Sequence, residues 1–105
     1  MAEVPHYIVK YVKDYIKILD KNGFTIQQAI LFGSFVRGNF NEFSDIDIAL
    51  VSDKFEGIRF NDRNRIRKYK FDVSADIEPI PFTLADFTES DPLVKEILET
   101  GIRIV

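Results

Sequence analysis

The sequence contains no cysteine. Disulfides, zinc–thiolate centres and thiol nucleophiles are therefore excluded, and the chain fits a reducing compartment. Tryptophan is also missing, while phenylalanine occurs ten times. The one histidine, His6, has no partner pattern for imidazole chemistry and reads as a surface or capping residue. No apolar run approaches the roughly 20 residues of a membrane-spanning helix. Around Glu3, Pro5 and His6 the chain lacks the basic start and apolar core of a secretory leader. Repeats, low-complexity tracts and linkers are absent. So is an excess of positive charge: the net charge of -3 argues against wrapping duplex nucleic acid by charge alone. These absences together lead us to expect a soluble, cytoplasmic protein with no membrane partner.

What is present suits one small domain over residues 1–105. Residues 4–21 read as an amphipathic helix, because Val4, Ile8, Tyr11, Val12, Tyr15, Ile16 and Leu19 recur at three- and four-residue steps. Asn22-Gly23 is a stop signal. Phe24–Phe32 is a strand candidate that turns continuously apolar towards its end. Ser34–Arg37 reads as one turn of helix, with Gly38 and Asn39 as its exit. Ile46–Val51 is a second strand, with Ile46, Ile48 and Leu50 on one side and Asp45, Asp47, Ala49 and Val51 on the other. A short exposed helix is expected from about Asp62 to Tyr69, and a third strand over Phe71–Ile80. Pro79 and Pro81 would end that strand or confine it to a sheet edge. Thr83–Phe87 looks like a capped turn. A helix capped by Asp91 follows, with Pro92 at its first position, and Gly101 stops it before a short strand over Ile102–Val105. The pattern is that of an α/β (α+β) protein, a small mixed sheet covered by helices.

Chemistry concentrates between Gly33 and Leu50. Asp45-x-Asp47 on a strand places two carboxylates on one face, with β-carbons roughly 7 Å apart. Like charges that close are costly unless a cation neutralises them, and magnesium prefers hard oxygen ligands shared with phosphates. Taken alone, the pair fits a hydrated strand end better than a metal site. Upstream, Gly33-Ser34 opens a helical turn. A glycine there lets the backbone approach a ligand, and successive amides form an anion nest. The Ser34 hydroxyl can donate to a phosphate oxygen, and Arg37 can add charge. An ordinary strand-to-helix turn with a surface arginine is the plain alternative.

The combination is more specific than either part. Gly33-Ser34, ten residues, then Asp45-x-Asp47 resembles the signature of the nucleotidyltransferase fold related to DNA polymerase β. Gly33-Ser-Phe-Val-Arg-Gly38 through Ser44-Asp-Ile-Asp47 is similar to its minimal nucleotidyltransferase branch, and the resemblance runs over essentially the whole chain. It implies that Gly33, Ser34 and Arg37 hold a nucleoside triphosphate. It implies that Asp45 and Asp47 bind two magnesium ions with a third carboxylate from the next strand, as in two-metal phosphoryl transfer. Glu78 and Asp76 share a parity and compete for that role. Glu78 is favoured by the string Ile77-Glu78-Pro79-Ile80-Pro81-Phe82, and Asp76 by the more usual family context.

The implied activity is transfer of a nucleoside monophosphate, AMP from ATP, to a hydroxyl acceptor. In stand-alone relatives the partner is often a small helical HEPN toxin, neutralised by binding or by adenylylation. The competing reading is a catalytically silent nucleotide-binding antitoxin or regulatory subunit. A nucleic-acid acceptor is not favoured. The basic run from Arg59 to Lys70 has three readings: a solvated helix face, a phosphate or RNA contact, or a docking surface for an acidic partner. Phe35, Phe40 and Phe43 gather around the site loop, where one of them could cover a base.

Overall fold

A computed structural model describes residues 4–105. Its first helix, α1 (His6–Lys21), buries Ile8, Val12, Tyr15, Ile16 and Leu19, the stripe that the three- and four-residue spacing predicts. Burying each such side chain contributes about 1.5–3 kcal/mol. The helix ends at Asn22, whose side-chain amide donates to the Ile18 carbonyl at 2.8 Å, and Gly23 follows at φ 91°.

Strand β1 (Gln28–Phe32) begins later than its apolar pattern suggests. Phe24 and Ile26 are buried, yet their amides are committed elsewhere. Phe24 N–H donates to the Leu19 carbonyl at 3.0 Å, and Ile26 N–H donates to Asp20 Oδ1 at 2.9 Å. A backbone donor tied to the preceding helix cannot also serve a sheet ladder. The turn of helix α2 (Ser34–Arg37) ends at Gly38 in the left-handed conformation. Strand β2 (Ile46–Val51) occupies the expected residues.

Helix α3 (Arg59–Arg67) starts earlier than expected, and its inner face is not exposed. Asp62 is buried, and its carboxylate accepts from the amides of Glu56 at 2.8 Å and Gly57 at 2.9 Å. Ile66 is also buried, and its carbonyl accepts from the Tyr15 hydroxyl at 2.9 Å.

The expected third strand is displaced. Lys68–Asp72 forms a 3-10 turn, and β3 runs over Ile77–Phe82, through both prolines instead of ending at them. The alternation at Phe71–Asp76 imitates a strand, but Val73 and Ser74 donate their amides to the Lys70 carbonyl. The prolines are tolerated because β3 is the sheet edge. Ile46 N–H donates to Asp76 O, and Ser52 N–H donates to Phe82 O. Even-numbered residues thus face β2, and Pro79 and Pro81 fall at outward positions that need no donor.

After a turn in which Thr83 Oγ1 accepts from Asp86 N–H, helix α4 (Pro92–Thr100) is capped by Asp91, which accepts from Leu93 N–H at 2.9 Å. Strand β4 (Ile102–Arg103) closes the sheet. The strand order is β3-β2-β1-β4, with β2 and β3 parallel and the other pairs antiparallel. One face carries Leu31, Ile46, Ile48, Leu50 and Ile77 against α1, Phe35 and Ile66. The other carries Ile30, Ala49, Val51 and Phe82 against Val94 and Ile97 of α4. Among the described residues, no helix is long and apolar enough to cross a membrane.

Candidate active site

The sheet brings the predicted residues together at the beginning of β2. Asp47 is paired with Phe32, the last residue of β1, and on its other side with Glu78 of β3. The chain leaves β1 through Gly33, at φ 85° and ψ -152°, a region essentially reserved for glycine. A β-carbon built on Gly33 would overlap the Asp47 carboxylate. The turn and the acid-bearing strand are therefore in direct contact. The amides of Val36 and Arg37 donate to the Gly33 carbonyl at 3.1 and 3.0 Å. The amides of Ser34 and Phe35 precede that first bond and have no partner within the turn.

The loop back to β2 is tied down locally. Asn41 N–H donates to Ser44 Oγ at 2.9 Å, and Phe43 N–H donates to Asn41 Oδ1 at 2.8 Å. This delivers Asp45, exposed, at the mouth of the strand and Asp47, half-buried, one step further in. Burial raises the Asp47 carboxyl above its ordinary value. The negative charges of Asp45 and Glu78 push the same way, and Arg37 opposes them. Asp45, Glu78 and Arg37 thus all act electrostatically on Asp47.

The two candidates for the third carboxylate separate. Glu78 stands in register with Asp47 on the neighbouring strand. Asp76 precedes β3, is exposed, and lines a groove near α1 with Tyr7, Ile8, Ser44 and Ser74. Of the three phenylalanines near the loop, Phe35 is buried, Phe40 stacks on it at 4.6 Å, and Phe43 is 83% exposed. A cleft of about 420 Å³ between α1 and Asp72-Val73 contains none of these residues.

Two further residues reach the site. Arg63 Nη2 donates to Glu78 Oε2 at 2.6 Å, and Lys70 Nζ lies 3.4 Å from Glu78 Oε1. Lys70 is 2% exposed and also donates to the Ile77 carbonyl at 2.8 Å, one of the outward groups of the edge strand. Sequence reasoning placed both within a basic run without linking them to the acids. The signal was the 4-3-4 spacing of Arg59, Arg63, Ile66 and Lys70, which puts them on one helical face.

The donor set can be tested against a metal ion. Asp45 and Asp47 offer hard oxygens whose mutual repulsion a divalent cation would relieve. Glu78, as it stands, has both oxygens engaged by protein cations. Among the described residues, no group of three or more His, Cys, Asp or Glu side chains is arranged to hold a metal ion. The aspartate pair fits such an ion, and the third position is filled by Arg63 and Lys70.

Residues 13–105 match the family model described as Polymerase beta, Nucleotidyltransferase. The chain belongs to this nucleotidyltransferase family. The matched span includes the Gly33-Ser34 turn, both aspartates and Glu78. Among solved structures, this nucleotidyltransferase domain is similar to a Sulfolobus solfataricus protein described as a nucleotidyltransferase, with TM-score 0.63 and 18% identity over 91% of this chain and 78% of the other. It is also similar to a toxin–antitoxin structure with AMP-PNP, with TM-score 0.64 and 22% identity over 92% of this chain and 72% of that one. A third likeness is to a mutant MntA-HpeT toxin–antitoxin structure in which two aspartates, two positions apart, are replaced by glutamate. It has TM-score 0.60 and 22% identity over 89% of this chain and 71% of the other. These likenesses establish the polymerase β-like fold. No curated protein sequence matches the chain significantly.

Proposed function

We propose that the protein transfers a nucleoside monophosphate, AMP from ATP, to a hydroxyl on a partner protein, as the antitoxin of a toxin–antitoxin pair. The observation that carries this reading is the contact between the Gly33 turn and the Asp47 carboxylate. It sets the Gly33 turn directly beside Asp47, where the negative charges of Asp45 and Glu78 are opposed by Arg37. Ser34 and the free amides of the turn would hold the triphosphate, with Arg37 neutralising part of its charge. Asp45 and Asp47 would hold magnesium, which supplies charge neutralisation and activation of the hydroxyl when bound. Glu78, adjacent to Asp47, would be the third carboxylate. The acceptor oxygen forms a bond to the α-phosphorus, and the bond from the α-phosphorus to the bridging oxygen breaks. Pyrophosphate leaves with that electron pair, and the hydroxyl proton passes to the carboxylate cluster.

The partner reading draws on the likeness to toxin–antitoxin structures. A helical HEPN protein is the partner class proposed. The test is transfer of label from α-labelled ATP to the protein encoded next to this one, in magnesium, beside an Asp45→Asn/Asp47→Asn variant. Transfer that vanishes in the variant supports the enzyme. A second reading is a silent antitoxin that works by binding, favoured by the engagement of Glu78 with Arg63 and Lys70. Full neutralisation of the partner by the double variant would favour it.

A further inference from the structure

The cations on Glu78 are unlike one another. Lys70 is buried in the 3-10 turn, and its ammonium is anchored on the Ile77 carbonyl. It cannot leave without stranding a buried charge and an edge carbonyl. Arg63 is different. Its side chain is 47% exposed, and its contact with Glu78 is made through Nη2. An exposed pair of this kind is weakly held and readily exchanged.

The placement of Arg63 gives that exchange a direction. Arg59 lies one helical turn earlier and rests its guanidinium 4.7 Å from the centre of the Phe82 ring, on the α4 face of the sheet. Arg63 reaches Glu78, four positions earlier on the same strand and on the same parity. The two guanidinium groups thus form a row along the edge of β3, on the face that carries Asp47. A polyphosphate seated on the Gly33 turn beside Asp47 would meet the Arg63 end of this row next. Guanidinium groups bind phosphate oxygens in a two-pronged geometry and with more charge than one carboxylate offers.

We infer that Arg63 gates the third carboxylate: it occupies Glu78 until a polyphosphate draws it away. Lys70 stays in place and keeps Glu78 oriented beside Asp47. The free protein then offers the aspartate pair alone, and the phosphate-bound protein offers a third carboxylate as well. Arg63 acts through Glu78 and is a positioning residue. The inference rests on the reading of Asp45 and Asp47 as cation ligands.

The test needs no turnover. Manganese binding to the full chain is counted by electron paramagnetic resonance without nucleotide, for the native protein, Arg63→Ala, Arg63→Ala/Glu78→Gln and Asp45→Asn/Asp47→Asn. One ion is expected on the native protein. Arg63→Ala should take a second ion, or hold the first about tenfold more tightly, a change within the range known for groups around metal ligands. The Glu78→Gln addition should reverse this gain. Tripolyphosphate binding in a chelator should weaken in Arg63→Ala. Equal metal binding in the native protein and Arg63→Ala, both abolished by the aspartate double variant, would overturn the gate and leave the site reading intact. Unchanged tripolyphosphate binding would also overturn it. No manganese on any of the four proteins would overturn both. Arg63→Gln provides a second variant with the same expectation should the alanine form fold poorly.

Discussion

The Asp47 carboxylate occupies the space that a β-carbon on residue 33 would need. The relationship ties two motifs that are 14 positions apart in sequence into one surface. It also explains why the turn opens with glycine and with no other residue. Gly33→Ala must relieve both a backbone conformation reserved for glycine and an overlap with a carboxylate. The conformation alone costs about 1–3 kcal/mol. Urea unfolding should show a loss of at least that size, and magnesium-dependent nucleotide binding should fall with it.

Asp47 also makes stability depend on pH. Its carboxyl is raised above the ordinary 3.8 by burial first, and then by Asp45 and Glu78. The folded state therefore holds its proton more tightly than the unfolded state does. Stability from this group is full below the ordinary value and is lost as pH rises through the raised one. Asp47→Asn should be more stable than the native protein at neutral pH in a chelator. The gap should close as the solution is acidified below the ordinary aspartate value. A series of urea titrations across that window checks the sign.

Lys70 and Arg63 touch the same carboxylate but should behave differently. Lys70→Met leaves the Ile77 carbonyl without its partner, which costs about 1–3 kcal/mol. Arg63→Ala removes an exposed ion pair and should cost less than about 1 kcal/mol. Thermal unfolding of the two variants side by side measures the contrast.

Tyr15 offers a check on the core. It is fully buried, and its hydroxyl donates to the Ile66 carbonyl at 2.9 Å, joining α1 to α3. Burial also pushes its phenol well above the usual range. Tyr15→Phe removes this buried bond while the Ile66 carbonyl keeps a backbone donor, and should cost about 0.5–1.5 kcal/mol. Denaturant unfolding should show the loss with no change in the slope.

Much of this was legible in the chain. Strand β2 was readable to the residue, because Ile46, Ile48 and Leu50 alternate with Asp45 and Asp47. The helices α1 and α4 were readable from spacing and from the Asp91-Pro92 cap. The start of β3 was not. Phe71, Val73 and Ala75 alternate with polar residues as a strand would, but Lys70 draws the segment into a 3-10 turn by reaching forward to Ile77 and Glu78. Local alternation cannot register a bond made seven or eight positions away. The same limit hid Arg63, which meets Glu78 only because β2 and β3 are parallel and α3 must cross between them. The position of Glu78 in register with Asp47 is a matter of strand pairing, and its partners Arg63 and Lys70 could not be named from the sequence.

The central claim is that Asp45 and Asp47 bind a divalent cation together with a nucleoside triphosphate. Titration calorimetry with a non-hydrolysable ATP analogue tests it most directly, with and without magnesium, on the native protein and on Asp45→Asn/Asp47→Asn. The account predicts binding that requires magnesium and is lost in the variant. Binding of equal strength without magnesium, or in the variant with its fold intact, would contradict it.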